Sequence, residues 1–130
     1  MTHVVISIDA GVTPLDFAGP YQLLRALPEM DIELAGIERK EIVTDGLTFG
    51  ALLDLETIEA CDILLVPGRL GCIAALETPR FLAAIRRLAE GATYVTSVCT
   101  GSLILAAAGL LTGRRAASHW AFRANACFRS

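Results

Sequence analysis

The chain has 130 residues, 54% of them apolar, and a formal net charge of −3. That length allows one domain with a real hydrophobic core, and the apolar content excludes a disordered chain. Eleven Lys and Arg against fourteen Asp and Glu, with no basic cluster, leave no electrostatic footprint for nucleic acid or an anionic membrane, so small neutral molecules remain the open class of partner.

Met1 leads directly into the strand His3 to Ile8, without the charged, apolar and small-residue regions of a signal peptide. No apolar run approaches the length of a membrane span. Both observations point to the cytoplasm. Cys61, Cys72, Cys99 and Cys127 form no C-x-x-C pair and have no metal-ligand spacing, so they read as free thiols in a reducing compartment.

In chain order, strand and helix alternate. His3-Val4-Val5-Ile6-Ser7-Ile8 is a β-branched run suited to burial on both faces. Asp9 to Pro14 turns the chain, and Leu15 to Leu27 has roughly helical apolar spacing at Leu15, Ala18, Leu23, Leu24 and Leu27. The Gly19-Pro20 break predicts that the helix proper follows Gly19, with Pro20 in its first turn and Asp16 in the connection. Asp31 to Ile37 alternates as a strand would. Glu41 to Thr44 reads as a short strand ending at the Asp45-Gly46 turn. Leu47 to Ile58 reads as a strand followed by a short helix, Glu56 to Glu59. Asp62 to Val66 is a second continuous apolar strand, closed by Pro67-Gly68-Arg69-Leu70-Gly71. Thr78-Pro79 opens a helix to about Glu90, with Phe81, Leu82, Ile85, Leu88 and Ala89 on one face.

The segment Ala92 to Leu111 organises the rest. Thr93 to Val98 reads as a buried strand, and Gly101 to Leu110 reads as a helix of small and aliphatic residues. Nothing separates them but Cys99 and Thr100, so Cys99 sits on the turn itself, in the strained and exposed position of a nucleophile elbow. The amides from Thr100 onward open a helix and favour negative charge, which predicts a lowered thiol pKa and a thiolate at neutral pH.

Strands separated by helices predict an α/β fold: a doubly wound, mostly parallel sheet with helices on both faces, a flavodoxin-like three-layer sandwich. Ligand sites of such sheets lie beyond the carboxyl ends of the strands. The loop with Asp16, the loop Gly68 to Gly71 and Cys99 all reach that edge. A carboxyl group beside a thiolate could hold a proton and deliver it, and amides of a glycine-bearing loop could stabilise developing charge.

Four ordered motifs carry a resemblance. Asp9 through Pro20 (DAGVTPLDFAGP), Leu64 through Gly68 (LLVPG), Tyr94 through Ser102 (YVTSVCTGS) and Gly109 through Trp120 together resemble the PfpI branch of the class I glutamine-amidotransferase-like superfamily, and within it the isocyanide hydratases. The resemblance covers Met1 to about Arg123. It implies that Cys99 attacks the carbon of an isocyanide, R–N≡C, and that water then releases an N-substituted formamide. It also implies Asp16 as acid/base, Thr100 beside the sulfur, Gly68 and Arg69 in the substrate or oxyanion loop, no metal or organic cofactor, a small-molecule substrate and a homodimer.

This sequence departs from the family in two places. Arg69 stands where the family's loop usually has a second glycine, and residues 124–130 do not match the family, which predicts a domain over 1–123 truncated at its C-terminus and followed by a non-matching tail. Three other roles stay open: a ligand-binding domain of the kind attached to AraC-type regulators, a thiol-based stress protein or deglycase, and an inactive fragment. The remaining candidates have plainer readings. Cys61, Cys72 and Cys127 read as structural, His119 as structural rather than as a base, and Arg114 and Arg115 as a solvated face. Asp16 could instead cap the first helix, although Thr13 competes for that place.

Overall fold

The computed structural model describes residues 1–9, 11–37, 41–44, 46–50, 52–68 and 79–110. Its central strand is β1, Thr2–Ser7. Val4, Val5, Ile6 and Ile8 are fully buried, as a β-branched run without polar alternation predicts for a strand covered on both faces. β2 (Met30–Gly36) pairs with it in parallel on one side, Val4 opposite Ile32, and β6 (Ile63–Val66) on the other, Val4 opposite Ile63. β5 (Leu53–Asp54) and β7 (Tyr94–Ser97) complete a five-stranded parallel sheet in the order β5-β2-β1-β6-β7. β3 (Ile42–Thr44) and β4 (Leu47–Phe49) form a separate antiparallel hairpin around Gly46, at φ +78°.

Alternation along β1 divides the core in two. Val4, Ile6 and Ile8 face one side, where α1 (Pro14–Arg25) and the hairpin add Phe17 and Ile42. Phe17 meets Phe49 edge-on, with ring centroids 4.8 Å apart. Val5 faces the other side, with Leu64 and Val66 of β6, against α2 (Pro79–Gly91) and α3 (Gly101–Ala107). Phe81, Ile85 and Leu88 are at most 1% exposed, and each such side chain contributes on the order of 1.5–3 kcal/mol. Helix, sheet and helix are therefore layered as expected, with helices on both faces. No helix among the described residues is long and apolar enough to cross a membrane.

Four elements differ from expectation. α1 begins at Pro14 and continues through Pro20 to Arg25. Pro14 fits N1 because the N–H it lacks would have no partner there, while Pro20, inside the helix, forfeits the bond to the Asp16 carbonyl and crowds that carbonyl with its ring. Asp16 thus lies in the first helical turn. Thr13 holds the N-cap position without a side-chain capping bond, and Asp16 is not the cap.

Glu56 to Glu59 is not helical. Asp54 Oδ1 accepts from the Glu56 N–H at 3.0 Å, and the Asp54 carbonyl accepts from the Thr57 N–H and hydroxyl at 3.0 and 2.8 Å, which closes a turn instead. Arg87 of α2 fastens this turn. Its guanidinium donates to the carbonyls of Ile58, Leu55 and Glu56 at 2.6, 3.1 and 3.4 Å.

Among the described residues β7 is a sheet edge, not a buried strand: Tyr94 is 64% and Val95 37% exposed. α3 stops three residues before Leu110. Gly109, at φ +79°, donates to Ala106 and Leu110 donates to Leu105, both at 3.0 Å, the reciprocal pattern of a Schellman stop.

Candidate active site

The order of winding reverses between β1 and β6: β1 passes through α1 to β2 on one side, and β6 through α2 to β7 on the other. A crevice opens at such a switch point, outside the carboxyl ends of the strands. Asp16 follows β1, Gly68 follows β6 and Cys99 follows β7. Of the three segments predicted to converge, Asp16, Gly68 and the Cys99 turn come together, and residues 69–71 lie outside the described residues.

Cys99 has φ +55°, a left-handed conformation that L side chains adopt at a cost of order 1–3 kcal/mol. The bonds on either side impose it. The Val98 N–H donates to Val66 at 3.1 Å, keeping the chain on β6, and the Gly101 N–H donates back to Val98 at 2.9 Å, starting the helical turn. Gly101 must have no side chain, because a Cβ there would stand 1.9 Å from the Val66 carbonyl oxygen. The sharp strand-to-helix turn is thus built from contact between the α3 backbone and the end of β6, and it leaves Cys99 half-buried at the crevice.

Three groups act on the sulfur besides burial. The Thr100 N–H and hydroxyl donate to it and hold its pKa down, while the Asp16 carboxylate raises it by its charge and by accepting the thiol hydrogen. Burial is the largest influence, and the net result is a thiol raised above its ordinary value. This corrects the expected resting thiolate. The two Thr100 donors are outweighed by loss of solvent and by a carboxylate from another element. Asp16 Oδ2 is shut away from solvent and has no hydrogen-bond partner among the described residues.

Gly68 completes the arrangement. It is buried, its carbonyl accepts from the Thr13 N–H at 3.0 Å, and its α-carbon faces both Asp16 and Thr100. Thr100 is 3% exposed, and Ser102, the second residue of α3, has a buried hydroxyl without a partner among the described residues. Sequence reading missed Ser102. No motif distinguishes a serine at the start of a helix from a solvated one.

Cys99, Asp16, Thr100 and Gly68 are therefore brought together, while Arg69, Cys72, Arg114, Arg115, His119 and Cys127 lie outside the described residues. Cys61 is a buried free thiol in the core, raised by burial and by the neighbouring Asp62, consistent with a structural role. Among the described residues, His3, Asp31 and Glu33 offer ligand atoms within 4.8 Å of one another, but His3 Nε2 already bonds Glu33 Oε2 at 2.7 Å. That group stands at the amino end of the sheet, as does an open hollow of about 460 Å³ lined by Met1, Met30, Asp62 and Tyr94. Both are at the opposite edge from Cys99.

Comparison with known proteins agrees with this fold. The chain is 41% identical to an isonitrile hydratase of Pseudomonas putida over 112 residues, 85% of this chain and 49% of that protein. It is 33% identical over 123 residues to an uncharacterised protein of the cpoL 5′ region of Streptomyces lividans, covering 91% of this chain and 87% of that one. The crystal structure of a THiJ/PfpI family protein from Pseudomonas syringae superposes with a TM-score of 0.86 at 33% identity, over 92% of this chain and 50% of that one. This chain thus spans about half the length of the hydratase and of the Pseudomonas syringae protein. The model of the DJ-1/PfpI family matches residues 2–127, and the chain belongs to that family.

Proposed function

We propose that the crevice is the site of a cofactor-free hydration of isocyanides, with Cys99 as nucleophile and Asp16 as acid/base. The observation that carries this reading is the contact between the Cys99 thiol, held at φ +55° on the elbow, and the Asp16 carboxylate. The 41% identity to an isonitrile hydratase supports the choice of substrate class.

A thiol raised above its ordinary value needs a base at the moment of attack, and the carboxylate that raises it is already hydrogen-bonded to it. As sulfur bonds to the isocyanide carbon, Asp16 takes the thiol proton and returns it to that carbon, giving R–N=CH–S–Cys99. Water then adds to the same carbon, nitrogen takes a proton, and the C–S bond breaks. Cys99 regains its proton and R–NH–CHO leaves, so the sum is R–N≡C + H2O. The two Thr100 donors offset charge on the departing sulfur. Gly68 and Arg69 head the loop proposed to line the substrate.

Incubating the purified chain with a small alkyl isocyanide and following formamide by NMR tests the proposal. Formamide should accumulate catalytically, Cys99→Ala should abolish turnover, and Asp16→Asn should lower it by about 10²–10⁴-fold. Turnover that survives Cys99→Ala would rule out the nucleophile. Absence of formamide, together with stoichiometric peroxide oxidation of Cys99, would favour the thiol-stress reading instead.

A further inference from the structure

Gly68 occupies ordinary backbone space: it is not among the residues of positive φ, so no turn geometry demands a glycine there. The demand is for room. A Cβ at Gly68 would lie 2.6 Å from Thr100 Oγ1, 2.7 Å from the Thr100 nitrogen and 2.9 Å from Asp16 Oδ2. All three distances are shorter than carbon tolerates against nitrogen or oxygen without displacement.

Three segments far apart in sequence therefore share one wall, the α-carbon of Gly68. We infer that Gly68 is a positioning residue: its missing side chain is the space that lets the Asp16 carboxylate and Thr100 close on Cys99 together.

What would move, if that space were filled, follows from what is anchored. The Gly68 carbonyl is bonded to the Thr13 N–H at 3.0 Å, so the loop cannot retreat without pulling the start of α1. The Thr100 nitrogen belongs to the elbow, whose next residue, Gly101, is packed against the Val66 carbonyl. Thr100 Oγ1 is also on a side chain but donates to the Cys99 sulfur, whereas Asp16 Oδ2 has no partner among the described residues, so the carboxylate yields first. A methyl at position 68 would part Asp16 from the sulfur while leaving both residues in the protein. This role differs from donating a hydrogen bond to a substrate oxyanion, which an alanine at 68 would preserve.

The inference rests on the Cys99–Asp16 pair proposed above, but its test uses no isocyanide. The rate of iodoacetamide addition to Cys99, read by mass spectrometry of its peptide against pH, reports the thiol's titration. Among the described residues, Asp16 is the charged group acting on that sulfur. In the wild-type background Asp16→Asn should move the midpoint down by about one pH unit, because a charge and a hydrogen-bond acceptor for the thiol are lost. In the Gly68→Ala background the same substitution should move it by less than half as much. Equal shifts in the two backgrounds would overturn the inference, since Asp16 would then still reach the sulfur past a methyl group.

Should Gly68→Ala fail to fold, the decisive comparison is its melting temperature in the Asp16→Ala background, where Oδ2 is gone. A smaller loss there, or recovery of folding, supports the role. An equal loss, or failure of both, assigns the glycine to the elbow backbone instead. Alkylation that behaves as expected without isocyanide turnover would keep this inference and discard the reaction. Turnover with uncoupled alkylation would do the reverse.

Discussion

At Cys99 the backbone is held where a glycine would be more comfortable, and the cost is offset by the packing that fixes both sides of the turn. Positive φ alone does not mark a reactive residue. Glu29 has φ +64° in the exposed turn before β2, where its carbonyl accepts from the Thr2 N–H at 2.7 Å. The difference lies in the surroundings: solvent around Glu29, and Asp16, Thr100 and the end of β6 around Cys99. If strain is stored at the elbow, Cys99→Gly should melt higher than Cys99→Ala, by about 0.5–1 kcal/mol, the reverse of the order these residues show inside a helix. Equal stability in chemical denaturation would mean that the turn is relaxed.

The position of Cys99 was legible in the sequence because strand and helix abut with no residues to spare. Its ionisation was not. A lowered pKa follows from the local chain, where Thr100 supplies two donors, but the two largest raising influences are burial and a carboxylate 83 positions away, which only the folded layers bring together. The close approach of Asp16 and Thr100 to Gly68 was equally hidden, since Pro67-Gly68 reads as ordinary loop punctuation.

Among the elements, those with continuous apolar or strongly periodic sequence, β1, β6 and α2, were predicted to within about two residues. α1 was misplaced because Gly19-Pro20 resembles a helix break, whereas the proline that opens the helix is Pro14 and Pro20 is absorbed within it. β7 was misread as buried because Tyr94-Val95-Thr96 has the composition of an interior strand, and only the strand order of the described residues places it at an edge.

Two glycines at element ends make the packing testable. Gly91, the last residue of α2, has nothing within 4 Å of where a Cβ would be, so Gly91→Ala should stabilise by roughly 0.5–1 kcal/mol. Gly101 opens α3 with the Val66 carbonyl oxygen 1.9 Å from the same point, so Gly101→Ala should cost at least about 2 kcal/mol. Urea melts of the pair should move in opposite directions. A harmless Gly101→Ala would mean that α3 can separate from β6.

For the molecule as a whole, two half- or fully buried thiols give stability a definite dependence on pH. Cys61 and Cys99 are both raised above the ordinary thiol value, Cys61 by burial and then Asp62, Cys99 by burial most of all. In the unfolded chain they release protons at the ordinary value, about 8.5, while the native state still holds them. The native state then binds more protons, so stability is complete below that value and falls as pH rises through the native pKa values. Melting temperatures measured from pH 7 upward should decline beyond about pH 8.5, and Cys61→Val should flatten the decline. An unchanged slope in that variant would assign the alkaline loss to other groups.

Arg87 sets a counterpoint to that titration. One guanidinium, grasping three peptide oxygens between Leu55 and Ile58, moors the crossover from β5 to β6 to α2. The mooring joins a planar fork of donors to backbone oxygens and involves neither thiol. Alkaline failure should therefore begin inside the layers, at the sulfurs, and reach the rim only when the whole gives way.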